Sequence, residues 1–177
     1  MSKVHDFNTD LAYSEKASEE PFWQAVYRKA FPDLACFMAN DHDNIAQRRG
    51  VDRVLLLNNQ RVVYIDEKKR REVYQDILLE YISNDRTKAP GWINKDLAID
   101  YLAYAFMPTY RCYLLDWLML RRAWLRFGDD WKRRYPNIEA KNKSYSTWSV
   151  AVPITILCKV IQQATVIDVS EELSIST

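Results

Sequence analysis

The stretch Gly50-Val-Asp-Arg-Val-Leu-Leu-Leu-Asn-Asn-Gln-Arg-Val-Val-Tyr-Ile-Asp-Glu-Lys-Lys-Arg70 decides how this chain folds. Residues 51–57 are a β-branched and aliphatic run, Asn58-Asn59 is a turn signal, and 61–68 read as a second strand, so the whole reads as a β-hairpin. Acid sits at the same end of both strands: Asp52 where the first begins, Asp66 and Glu67 where the second finishes. Antiparallel pairing brings those ends together. With 58–60 as a three-residue loop, Leu57 faces Arg61 and Asp52 falls opposite Asp66, with Cβ atoms roughly 5 Å apart. A two- or four-residue loop sets Asp52 diagonal to Glu67 instead, because a one-residue slip changes the facing side. Parity selects the partner.

Two carboxylates that close repel each other unless a cation sits between them or one keeps its proton. Side chains alternate along a strand, so Asp66 shares a face with Lys68, and Glu67 shares the other with Lys69. A carboxylate pair can hold Mg²⁺ or Mn²⁺ through oxygen, and such an ion polarises a phosphate and acidifies water. A neighbouring ammonium can position that water or stabilise charge developing on the phosphate. The plainer reading is a charged strand end facing water with internal salt bridges.

The rest of the composition removes competing chemistries. Only three glycines occur, Gly50, Gly91 and Gly128, too scattered for a P-loop or a dinucleotide fingerprint. The two histidines, His5 and His42, and three cysteines, Cys36, Cys112 and Cys158, form no zinc-finger spacing and give a Ser-His-Asp triad little support. Asp41-His42-Asp43 is a weak metal motif of the kind surface loops often carry. An odd, widely spaced cysteine set fits a reducing compartment. Residues 1–10 lack a signal-peptide core, and the apolar stretches 97–107 and 112–120 are short and interrupted by Asp100 and Asp116. A soluble, cytoplasmic protein with no membrane partner is the expectation. The length suits one domain over 1–177, burying roughly 70% of the unfolded chain's surface.

Net charge is +1, yet eight basic residues cluster within 121–143. Arg121, Arg122, Arg126, Lys132 and Arg133 are candidates for phosphate contacts with salt-dependent affinity, against the plainer alternative of a solvated helix face. Along the chain, Ser18-Glu-Glu-Pro21 reads as a helix start, and Phe22, Trp23, Val26, Tyr27 and Ala30 follow at helical spacing. Residues 33–49 stay ambiguous between a short strand and a helix. Residues 76–82 read as a third strand; 99–106 and 111–115 suit a hairpin about Met107-Pro108-Thr109, though 97–106 also suits a helix. A helix follows over 116–127, extending to 135 if Gly128 is tolerated, with Trp117, Leu118, Leu120, Trp124 and Leu125 inward and the seven-residue recurrence of Trp117, Trp124 and Trp131 read as packing. Residues 145–152 read as a strand. Glu80 either faces Lys68 or Lys69 across the sheet or faces solvent; Gln47 reads as a surface residue, and Trp92, after Pro90-Gly91, as a loop anchor rather than a stacking platform. This is an α/β (α+β) pattern with a hairpin-rich mixed sheet.

The arrangement resembles the PD-(D/E)XK nuclease superfamily, with its restriction-endonuclease-like fold. The corresponding pieces are Glu20 on the first helix, with Glu19 a near-equal choice, Asp52 on the hairpin's first strand, and Asp66-Glu67-Lys68 on its second. The resemblance covers roughly residues 15–85, and its motif is short and degenerate. No proline precedes Asp52, the middle residue Glu67 is charged rather than apolar, and Glu67-Lys68-Lys69 is an alternative frame. The resemblance implies a three-layer αβα sandwich, Mg²⁺ or Mn²⁺ as cofactor held by Asp52 and Asp66 with Glu67 as alternate, Lys68 assisting water or leaving charge, and Glu20 completing the site. It implies cleavage of DNA, or sometimes RNA, by enzymes that are often homodimers. A non-catalytic nucleic-acid- or protein-binding module on the same fold is the alternative.

Overall fold

The computed structural model describes residues 19–40, 49–162 and 164–174. The expected Ser18 cap, Gln47, and the Asp41-His42-Asp43 and His5 positions lie outside these residues. Helix α1 (Glu20–Ala30) starts with Pro21 in its first turn and buries Phe22, Trp23, Val26 and Tyr27 along one stripe. Then come β1 (Leu34–Ala39), β2 (Arg53–Leu57) and β3 (Val62–Arg70). The order continues with β4 (Asp76–Asn84), β5 (Ala89–Pro90), β6 (Tyr101–Phe106), β7 (Arg111–Asp116) and helix α2 (Trp117–Arg134). The chain ends in β8 (Asn137–Lys141), β9 (Ser146–Pro153), helix α3 (Ile154–Ile161), β10 (Thr165–Asp168) and a short α4 (Ser170–Ser174).

The molecule is α+β, built on a six-stranded mixed sheet ordered β1-β2-β3-β6-β7-β10. Every neighbouring pair is antiparallel except β3 and β6, which run parallel. A parallel pair needs a long crossover, usually a helix. Here the crossover carries β4 and β5, which join β9 and β8 in a second, four-stranded antiparallel sheet ordered β5-β4-β9-β8. The third strand read in the sequence is therefore real but belongs to this second sheet.

Alternation along the central strands builds a core on each face. Leu55, Leu57, Val63, Ile65, Ala103 and Ala105 pack under α1, with Leu173 of α4 against the same cluster. Leu102, Tyr104, Phe106 and Leu115 pack from the other face on Ile77, Leu79, Val150 and Val152 of the second sheet, together with α2 and α3. One face is thus covered by helix, as expected; the opposite face is covered by a sheet and helices together rather than by helices alone. The periodic tryptophans of α2, Trp117, Trp124 and Trp131, are buried in this second core with Leu120, whereas Leu118 and Leu125, expected inward, fall off that stripe and are exposed; α2 runs through Gly128 to Arg134. Asp116 caps it, accepting the Met119 N–H at 2.9 Å. No helix among the described residues is long and apolar enough to cross a membrane.

Candidate active site

The hairpin adopts the three-residue loop. Arg53 pairs with Ile65, Val54 with Tyr64, Leu55 with Val63 and Leu56 with Val62, and the Leu57 N–H donates to the Arg61 carbonyl at 2.9 Å. Gln60 closes the loop in the left-handed region, at φ 68°. Continued by one residue, this register sets Asp52 against Asp66. The ladder itself ends at Arg53, but Asp52 stays bound: its N–H donates to the Ile65 carbonyl at 2.9 Å, and its Oδ2 accepts the Glu67 N–H at 2.9 Å. That amide is available because β3 outlasts β2 and from Asp66 onward is paired only with β6, on its other side.

Asp66 and Lys68 lie opposite Leu102 and Tyr104 of β6, so they emerge on the face that carries the second sheet. Lys68 Nζ donates to Asp66 Oδ1 and lies 3.4 Å from the Glu67 carbonyl oxygen. Asp66 is buried, at 2% exposure. Burial, reinforced by the Asp52 carboxylate within hydrogen-bonding reach, pushes its pKa up to about 7 in spite of the Lys68 ammonium. Burial alone would lower the pKa of Lys68, but Asp66 and Asp52 outweigh it and the pKa is raised, so Lys68 is an ammonium at neutral pH. Glu80, from β4, adds its field to Lys68 from the second sheet.

Glu67 lies on the opposite face, beside Ala103 and under α1. Its carboxylate accepts the Tyr27 hydroxyl at 2.6 Å and Arg53 Nε at 3.0 Å. Arg53 Nη1 also reaches Glu20 Oε1 at 3.0 Å, which ties α1 to β3 through one buried guanidinium. Lys69 pairs with Glu19 on the same side. Here the structure departs from the expectation for two residues. The side chains of Glu67 and Glu20 do not converge with Asp52 and Asp66, because strand alternation turns Glu67 towards α1 and Arg53 holds Glu20 there. The frame Glu67/Lys69 is likewise occupied by internal ion pairs. Arg53 was not singled out in the sequence, although its position one residue after Asp52 puts it on the Glu67 face.

Among the described residues no three His, Cys, Asp or Glu side chains gather as ligands of one ion. Asp52 and Asp66 are the acids that face each other, with the Glu67 carbonyl nearby as a further oxygen. Magnesium is commonly held by one or two carboxylates, with water and substrate phosphate filling the remaining positions, so this donor set fits a divalent cation.

The candidate phosphate-binding residues divide. Arg121 Nη1 donates to the Ile93 carbonyl at 2.7 Å, a structural role. Lys132 pairs with Asp129 at 2.7 Å and lies over the Tyr81 and Trp124 rings. Arg122, Arg126 and Arg133 are exposed, with Arg133 3.5 Å from Asp130. Trp92 is buried as a loop anchor. No family model, curated protein or solved structure matches the chain.

Proposed function

We propose that this chain is a divalent-metal-dependent nuclease of the PD-(D/E)XK type, with a restriction-endonuclease-like three-layer core, that hydrolyses phosphodiester bonds in DNA. The observation that carries the reading is the convergence of Asp52, Asp66 and Lys68 on one face, where a buried carboxyl pair is repulsive without a proton or a cation. Packing gives no reason for an acid at position 66, where an apolar residue would bury more cheaply.

Asp52 and Asp66 would hold Mg²⁺ or Mn²⁺. Bound there, the ion supplies charge neutralisation for a phosphate and acidifies water. Lys68, charged at neutral pH, is a donor rather than a base. It orients the attacking water or stabilises the charge that develops as water adds and one P–O bond breaks. The Arg53 bridge holds β2, β3 and α1 together behind the site, so Glu67 and Glu20 act as its supports. The exposed Arg122, Arg126 and Arg133 suit phosphate contacts along a nucleic acid; two copies would suit a duplex.

The test is cleavage of supercoiled, linear and single-stranded DNA with Mg²⁺ or Mn²⁺ by the wild type and by Asp52→Asn, Asp66→Asn and Lys68→Ala. Each variant is expected to lose about 100-fold or more in rate, and chelation to abolish the activity. Salt-sensitive DNA binding with no metal-dependent cleavage would overturn this reading in favour of the non-catalytic module.

A further inference from the structure

β4 runs along the Lys68 face of β3: Arg70 Nη1 lies 3.6 Å from Asp76 Oδ1, and the Leu78 N–H donates to the hydroxyl of Tyr104, the residue opposite Lys68, at 3.2 Å. Glu80, on the same side of β4 as Asp76 and Leu78, continues that line towards Lys68. β4 is regular from Asp76 to Glu80, then shifts register against β9 between Glu80 and Ile82. Such bulges re-aim a side chain and recur beside functional sites. The turn after β5 clamps the same spot. Gly91 lies so close that a Cβ there would sit 2.2 Å from the Glu80 carbonyl oxygen, and its N–H donates to the Tyr81 carbonyl at 3.1 Å. The Trp92 N–H, just beyond, favours the ionised form of the Glu80 carboxylate. Pro90-Gly91-Trp92 thus anchors Glu80 as well as the loop.

Lys68 faces a conflict that Glu80 can resolve. In this structure its ammonium is on Asp66, the carboxylate that the nuclease reading assigns to a cation. Ammonium and cation compete for that group and repel each other. We propose that Glu80 is a positioning residue for Lys68, its carboxylate receiving the ammonium when Asp66 turns to a divalent cation. Lys68 then stays charged beside the phosphate instead of swinging into solvent. This inference rests on the nuclease reading.

The test uses protein carrying ¹⁵N-labelled lysine, with the Lys68 ammonium resonance assigned by its loss in Lys68→Arg. Mg²⁺ is titrated without DNA, and Glu80→Gln is compared because it keeps the shape and the bulge but removes the charge. In the wild type Mg²⁺ is expected to shift the resonance and leave it sharp. In Glu80→Gln, Mg²⁺ should bind several-fold more weakly, because the ammonium displaced from Asp66 then has no receiving carboxylate, and the resonance should broaden through solvent exchange. kcat should fall about 10-fold or more, with KM for DNA and thermal stability unchanged. A wild-type shift reproduced in Glu80→Gln, with kcat intact, overturns the Glu80 assignment alone. An equal loss of Mg²⁺ affinity on Glu80→Gln in a Lys68→Met background overturns it too, since Glu80 would then be a ligand. A wild-type resonance indifferent to Mg²⁺ overturns the nuclease reading together with the inference.

Discussion

Asp66 concentrates the chemistry of this molecule in one group. Its pKa is raised to about 7 by burial and by Asp52, above the roughly 3.9 of an unfolded aspartate. A raised folded-state value favours the protonated native form. The contribution of Asp66 to stability is therefore full below about pH 4 and is lost as pH rises through 7. Burial raises Glu67 and Glu80 as well, which acts in the same direction. Metal-free protein should accordingly lose stability to denaturant between about pH 4 and pH 7, where the folded state holds about one more proton than the unfolded chain, and Asp66→Asn should flatten that slope. A cation must displace the same proton. Its affinity, measured by calorimetry with Mn²⁺, should rise by about one log unit per pH unit below pH 7 and level off above. A pH-independent affinity would contradict the assignment of Asp66.

At the scale of elements, the hairpin was legible because its signals agree: an apolar run on each strand, Asn58-Asn59 at the turn, and acids at matched ends. Parity was not, since loops of two, three and four residues are all compatible with those residues; the left-handed Gln60 settles it. Other elements were hidden for identifiable reasons. α3 is Ile-Thr-Ile-Leu-Cys-Lys-Val-Ile, rich in β-branched residues, and is helical because Ile154, Leu157 and Ile161 bury one stripe in the core. β4 has the pattern of a buried strand whichever sheet receives it. Glu67 was expected as an alternate metal ligand and Glu20 as completing the site, but a motif on paper does not carry strand facing. With Arg53 only 6% exposed and shared between them, Arg53→Ala should cost about 3–5 kcal/mol in denaturant unfolding by leaving Glu67 buried and unpaired. Arg53→Met with Glu67→Leu should recover much of that loss, and Glu67→Gln should retain cleavage. Gly50, at φ 77° and with Leu97 3.0 Å from where its Cβ would be, should resist Gly50→Ala, at roughly 1–2 kcal/mol by thermal melting.

For the whole molecule, the two cores on opposite faces of the central sheet give its acids opposite duties. The face under α1 seals Glu67, Arg53, Glu20 and Tyr27 into a brace. The face towards the second sheet carries Asp52, Asp66 and Lys68, with Glu80 of the second sheet acting on Lys68. α2 packs on that same second face and keeps Arg122, Arg126 and Arg133 exposed, the residues proposed for phosphate contacts. Removing Arg122, Arg126 and Arg133 together should lower the salt slope of DNA binding by about three without changing metal affinity; an unchanged slope would assign DNA to another surface. The central claim, that the hairpin's paired aspartates are a divalent-cation site, is tested most directly by the anomalous density of Mn²⁺ in crystals soaked above pH 7. A peak bound by Asp52 and Asp66, with the Lys68 ammonium moved off Asp66, is the result expected; an Asp66–Lys68 pair left intact and no peak between the aspartates would contradict it.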